Sequence, residues 1–278
     1  MFRLPWNPSS LLGPALRHSL YLQPKIGFTV IICPRAWPLD SFFEPLIQAF
    51  RDRGHAAICR VPESYSTFDP INPPTFNPDS EHLRTQVLEP AIETGADIVV
   101  FMHSYGGVYG AESLKGLSKQ DRQAKGLEGG VIAAILTCAF LAPTGSTALD
   151  SMGISAGSLP ESGRHEQGIC QAVFNDLPEE EGERLANLLP KQSITCFTTP
   201  VNWDPYQDPN IKRRLGFIYT EADRIFPIEA QRQAVSKAEI KHTYLLENSS
   251  HSPHLEQPQH LAGLVINMVR DITSSTEV

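Results

Sequence analysis

Five apolar residues, Ile98 to Met102, run without a polar break into His103-Ser104-Tyr105-Gly106-Gly107. No other stretch constrains the chain as much. A short run that is apolar at every position reads as a strand buried on both faces, the pattern of a parallel sheet covered by helices. The run stops at a serine, and the two glycines that follow let the backbone turn sharply into a helix. A strand–turn–helix of this kind holds a serine Oγ clear of its own backbone. The chemistry asks for that shape, because a free hydroxyl is a weak nucleophile and must be presented to a base. Ser104 is thus the candidate nucleophile, and the amide of Tyr105, at the new helix's start, a candidate oxyanion donor. A second reading stays open, a serine in an ordinary strand-to-helix turn, because Met102 fills the place of the first glycine in G-x-S-x-G.

Around this stretch the chain alternates. Phe28 to Cys33 reads as the first core strand, and Pro34 to Pro38 as a loop. Leu39 to Arg53 reads as a helix with Phe43, Leu46, Ile47 and Phe50 on one stripe, stopped by Gly54. Ala56 to Val61 is a second strand. Strand, helix, strand is a βαβ unit and demands a parallel sheet. A proline- and aromatic-rich loop spans residues 63–79. Ser80 is a candidate cap for the next helix, which carries Leu83, Val87 and Leu88 and which Pro90 should kink or end. After the helix from about Gly106 and a polar connection, Val131 to Cys138 is another buried strand. Leu215 to Thr220 resumes the rhythm, followed by a helix from Pro227 to Val235, a strand from Ile240 to Leu246, and a closing helix from Pro258 to about Asp271.

The rhythm breaks between residues 142 and 210, where no strand-like run occurs. A helix is expected at Pro178 to Leu189, with Asp176 as its N-cap. An insertion of this size reads as a helical cap over a site. The expected fold is therefore α/β: a mostly parallel central sheet flanked by helices, in one domain over residues 26–278, with the cap inserted after the Val131–Cys138 strand. Phe174, Phe197 and Trp203, and Trp37 in the first loop, are candidate pocket walls, with simple packing as the competing reading. Residues 1–25 contain no Asp or Glu. Their basic residues faintly suggest a mitochondrial transit peptide, but four prolines oppose its helix, and a loosely ordered arm is expected.

The 278 residues carry a formal charge of −8 with no basic cluster, which argues against a nucleic-acid partner. No apolar run is long enough for a membrane span. Five widely spaced cysteines, with no C-x-x-C, read as free thiols in a reducing compartment, so a cytoplasmic protein is expected.

Asp223 follows the Leu215–Thr220 strand and His251 follows the next strand, so both fall at the carboxyl edge where parallel sheets place their sites. Nucleophile, acid and base in the order Ser104, Asp223, His251 give the order of α/β-hydrolase triads. His251 would take the Ser104 proton, while Asp223 would fix the imidazole tautomer. Glu221 rivals Asp223, and His254 rivals His251. Asp223 also reads as a capping acid paired with Arg224 or Arg232. His251-Ser252-Pro253-His254 lacks the helical H-E-x-x-H spacing of a zinc site, and Gly106, Gly107 and Gly110 match no phosphate or dinucleotide loop, so no metal or cofactor is expected.

Taken together, Ala36-Trp37, Met102 to Gly107, Asn175-Asp176-Leu177-Pro178, Glu221-Ala222-Asp223 and His251-Ser252-Pro253 resemble the α/β-hydrolases. The resemblance is to the group that includes plant methylesterases and hydroxynitrile lyases, and most to fungal members of natural-product pathways. It spans about residues 26–272. It implies an oxyanion hole from the amides of Ala36 and Tyr105, the triad above, and a homodimer. Arg35 stands where the family carries a glycine. It could meet a substrate carboxylate, pair with Asp40 or face solvent. Ser252 replaces the lysine that hydroxynitrile lyases of the group carry beside the histidine, which disfavours cyanohydrin cleavage. The expected activity is cofactor-independent hydrolysis of an ester, thioester or lactone of an apolar small molecule through an acyl-enzyme. The alternatives are a cyclase or C–C lyase using the His–Asp base, and a ligand-binding module without turnover.

Overall fold

The apolar runs become a six-stranded sheet: β1 (Thr29–Cys33), β2 (Ala56–Cys59), β3 (Asp97–His103), β4 (Gly130–Thr137), β5 (Leu215–Thr220) and β6 (His242–Leu246). The coordinates are a computed structural model that describes residues 27–37, 40–62, 64, 74–153, 174, 177–188 and 192–276. The strands lie in the order β2-β1-β3-β4-β5-β6, and every neighbouring pair is parallel. The helices are α1 (Glu44–Arg51), α2 (Asn77–His82), α3 (Glu89–Glu93), α4 (Gly106–Ser113), α5 (Lys119–Gln123), α6 (Ala148–Met152), α7 (Glu179–Ala186), α8 (Thr195–Thr198), α9 (Pro209–Lys212), α10 (Ile228–Ala238), α11 (Pro253–Glu256) and α12 (Pro258–Thr276). None of them is long and apolar enough to cross a membrane.

Because side chains alternate along a strand, each inner strand serves two cores. Ile31, Val100, Leu136 and Phe217 point to one face, with the residues of α4 and the cap. Ile32, Phe101, Ile135 and Ile218 point to the other, against α1 and α12. All eight are fully buried, and each contributes roughly 1.5–3 kcal/mol of transfer free energy. The stripe expected on α1 is the one that is buried, through Leu46, Ile47 and Phe50, with Phe43 on the preceding 3₁₀ turn. The chain leaves β1 for β2 on one side and returns to β3 on the other. A crevice therefore opens between the carboxyl ends of β1 and β3, the topological switch point where open α/β sheets bind ligands.

Three local expectations need correction. Ser80 does not cap a helix: α2 starts at Asn77, with Pro78 in its first turn, and Ser80 is buried inside it. Proline suits a first turn because its missing N–H costs nothing there. Of the two outcomes expected at Pro90, a kink or an end, the end does not occur. The wide π turn at Leu83–Leu88 precedes it, and α3 continues to Glu93. Without an N–H, Pro90 leaves the carbonyl four residues back without its donor, and a local i→i+5 register absorbs that defect. The cap helix α7 begins at Glu179 with Pro178 in the N-cap position, and Asp176 lies outside the described residues. The amino-terminal arm also lies outside them. The other cap helices are α6, α8 and α9, and among the described residues of the insertion there is no strand.

Candidate active site

Ser104 sits between β3 and α4 with φ +55°. That left-handed conformation costs a serine about 1 kcal/mol or more, and it persists because its surroundings leave no alternative. The Ser104 N–H bonds the Thr137 carbonyl of β4 at 3.3 Å, and its own carbonyl accepts from Gly107 and Phe140. The glycines are steric requirements here. A Cβ on Gly106 would lie 2.1 Å from the Cys33 carbonyl oxygen, and one on Gly107 would lie 2.5 Å from that of Phe140. Helix α4 thus touches backbone on both sides and cannot drift. Met102, in place of a motif glycine, is fully buried. A Cβ on Gly110 would meet its Cγ at 3.0 Å, so Gly110 provides the room that Met102 takes, and the elbow conformation is kept.

Three side chains expected to work together do meet. His251 Nε2 lies 3.0 Å from Ser104 Oγ, and His251 Nδ1 lies 2.8 Å from Asp223 Oδ2. All three residues are buried, with 2–4% of their surface exposed. The other carboxylate oxygen, Asp223 Oδ1, accepts from the amides of Ile225 at 2.8 Å and Phe226 at 2.9 Å. Burial pushes the Asp223 carboxyl up. The pull and hydrogen bond of His251, with those two amides, outweigh burial and leave it below the usual carboxylate range. An ionised Asp223 requires the proton on His251 Nδ1, which leaves Nε2 as acceptor for the serine hydroxyl.

The rivals have other occupations. Glu221 is exposed and accepts from the Asn248 amide at 3.0 Å, bracing a turn. His254 is fully buried and stacks on Phe43 at 4.1 Å, and neither ring nitrogen has a hydrogen-bond partner among the described residues. Burial first, then the nearby Arg35 and His251, hold His254 well below the ordinary histidine value. His103 is held low in the same way, by burial first and then by His254, His251 and Arg35. Its Nε2–H donates to the His251 carbonyl at 2.8 Å. The residue before Ser104 therefore holds the backbone of His251.

Ala36 follows β1 and Tyr105 follows Ser104, so both flank the switch point. Trp37, at φ +53°, gives its amide to Gln192 Oε1 of the cap at 3.3 Å. Trp37 and Phe197 lie 5.8 Å apart between ring centroids, and Phe197 and Tyr105 lie 5.2 Å apart. Trp203 packs on the same cluster. The Tyr105 hydroxyl donates to the buried Asp79 at 2.7 Å, and Asp79 also accepts from the amide and hydroxyl of Ser64. Phe174 lies elsewhere, in the core on the other face of the sheet, edge-on to Phe42. Arg35 does not face solvent. It is 1% exposed, and its guanidinium lies 4.7 Å from the Phe174 ring centre and 5.8 Å from that of Phe42. A planar, weakly hydrated cation tolerates such aromatic company.

Cys138 Sγ lies within 4.8 Å of the Asp223 and His251 ligand atoms, a spacing a metal could use. Those two residues already bond each other, however, and burial followed by the Asp223 charge pushes the thiol up, keeping it protonated. Its Sγ lies 3.2 Å from Thr220 Oγ1. Cys33, Cys59, Cys138 and Cys196 are free thiols, and Cys170 lies outside the described residues. Sequence reading missed Asp79, His103 and Gln192. His103 carried a signal, lying inside the elbow motif, whereas Asp79 and Gln192 reach the site only through tertiary folding.

A parallel sheet with a strained serine elbow at its switch point is the frame of a hydrolase. The model of the alpha/beta hydrolase family matches residues 15–263, and the chain belongs to that family. It is 24% identical over 250 residues to alpha/beta hydrolase nvfD of Aspergillus novofumigatus, covering 87% of this chain and 95% of that protein. Among solved structures it is similar to polyneuridine aldehyde esterase, with TM-score 0.61 and 14% identity over 87% of this chain and 99% of the other. It is also similar to the methylesterase MES16 from Arabidopsis, with TM-score 0.60 and 17% identity over 88% of this chain and 99% of the other. At these identities the structural likeness establishes the fold.

Proposed function

We propose that this protein is a serine hydrolase that cleaves an ester, thioester or lactone of an apolar small molecule through an acyl-enzyme. The carrying observation is the Asp223–His251–Ser104 chain, with links of 2.8 and 3.0 Å on a strained elbow. Ser104 Oγ attacks the carbonyl carbon while His251 Nε2 takes its proton, and the lowered Asp223 carboxylate stabilises the resulting imidazolium. The amides of Ala36 and Tyr105 receive the oxyanion. Collapse expels the alkoxide, thiolate or lactone oxygen, which takes the proton back from His251. Water, activated by the same imidazole, then releases the acid. Trp37, Phe197 and Tyr105 give the binding region its aromatic character, and the esterase names of the structural relatives agree with an acyl substrate.

The test is labelling with a fluorophosphonate probe, read by intact mass, for wild type, Ser104→Ala and His251→Ala. Labelling of wild type alone, followed by turnover on a panel of esters, thioesters and lactones, is expected. A folded wild type that the probe leaves untouched would overturn hydrolysis and favour a His–Asp base acting on an enolate.

A further inference from the structure

His251 stands in a segment, residues 247–252, that belongs to no helix or strand. A base that must hold its Nε2 within hydrogen-bond reach of Ser104 needs a fixed backbone, and no ladder supplies one here. From Ser249 onward the segment is nevertheless buried: Ser249, Ser250 and Ser252 are 0% exposed. Its acceptors are met by amides, Ala222 N–H to the Ser249 carbonyl at 2.8 Å and Leu255 N–H to that of Ser252 at 2.9 Å. The donors share a different partner. The carboxylate of Glu256, at the end of α11, accepts from Ser249 Oγ at 2.9 Å, Ser250 N at 3.0 Å, Ser250 Oγ at 2.6 Å and Ser252 N at 3.2 Å. These four donors bracket His251 on both sides.

We propose that Glu256 is a positioning residue for the general base. It touches neither substrate nor the reacting atoms. It fixes the main chain before and after His251, while His103 fixes the carbonyl of His251 itself. The chemistry of the group fits the task. A carboxylate has two oxygens and about four lone-pair sites, which matches four converging donors, and charge-assisted bonds are about twice as strong as neutral ones. A glutamine would present one oxygen and turn its NH₂ toward hydrogen-bond donors. This role rests on the proposed function of His251.

The experiment measures the fluorophosphonate labelling rate and steady-state hydrolysis of p-nitrophenyl butyrate for wild type, Glu256→Gln and Glu256→Ala. Rates are taken per folded molecule, with Tm recorded for each protein. Because a displacement of about 1 Å can cost on the order of 100-fold in rate, kcat and the labelling rate should fall about 10-fold to 100-fold with KM nearly unchanged. Glutamine should fall between wild type and alanine. Ser250→Ala deletes one donor side chain and should give a smaller loss in the same direction, which keeps the test open if a Glu256 variant does not fold. A labelled wild type beside folded variants that label equally fast overturns the role of Glu256 alone. A wild type that neither labels nor turns over the ester removes the hydrolytic reading and this role with it.

Discussion

Replacing Asp223 by asparagine tests the site more sharply than deleting it, because the structure dictates which way the new amide points. The amides of Ile225 and Phe226 both donate to Oδ1, at 2.8 and 2.9 Å. In Asp223→Asn only the side-chain carbonyl can accept them, so the NH₂ group is forced into the Oδ2 position, 2.8 Å from His251 Nδ1. There it donates, and Nδ1 must become an acceptor. The imidazole proton moves to Nε2, which then faces the Ser104 hydroxyl with a hydrogen of its own and cannot take the serine proton. The cost is that of a wrong tautomer, about 10⁴-fold in kcat, or ~5.5 kcal/mol of transition-state stabilisation. The packing stays intact, since size and two of the bonds are conserved. Fluorophosphonate labelling kinetics and ester turnover, beside a thermal melt, read both halves of this expectation. A folded Asp223→Asn within tenfold of the wild-type rate would refute the tautomer argument and the role of Asp223.

Three further outcomes follow from the packing. Gly106→Ala, whose Cβ would stand 2.1 Å from the Cys33 oxygen, should displace the elbow and abolish labelling or soluble expression; near-normal labelling would contradict the close approach. Tyr105→Phe leaves the buried Asp79 short of one donor and should cost about 1–3 kcal/mol in urea unfolding, whereas an unchanged midpoint would show that bond to be idle. Stability should also drain in mild acid. His103 and His254 are buried bases whose folded pKa values lie below the unfolded value of about 6.5. The unfolded chain therefore takes up more protons, so stability is full above that pH and falls by roughly 1.4 kcal/mol per unit per histidine as pH drops through it. His254→Phe, which preserves the stack on Phe43, should flatten that slope; an unaltered slope would assign it to other groups.

What could be read in the sequence was whatever repeats locally. The inner strands were legible because burial on both faces demands apolar runs, as in Ile98 to Met102. Ser104 and Asp223 stood out because each follows such a run, and His251 because it follows the alternating strand at the sheet's edge. Asp79 and Gln192 carried no such signature, since a buried polar side chain is defined by partners distant in sequence. Ser80 misled for a physical reason: a serine before an apolar stripe looks like a cap, but Asn77-Pro78 had already started the helix. Arg35 misled because charge predicts exposure, whereas two aromatic rings shelter this guanidinium.

The sheet order also sets when the site can exist. Ser104 leaves β3, in the interior of the sheet, while His251, 147 residues later, follows β6, an edge strand and the last of the described strands. On the proposed mechanism, Ser104 therefore emerges during synthesis long before the base that would draw its proton. On that mechanism, reactivity arrives only when β6 docks and α11 closes behind it. On the same mechanism, a chain cut short before β6 would hold the serine without its proposed base even if its other strands had already assembled.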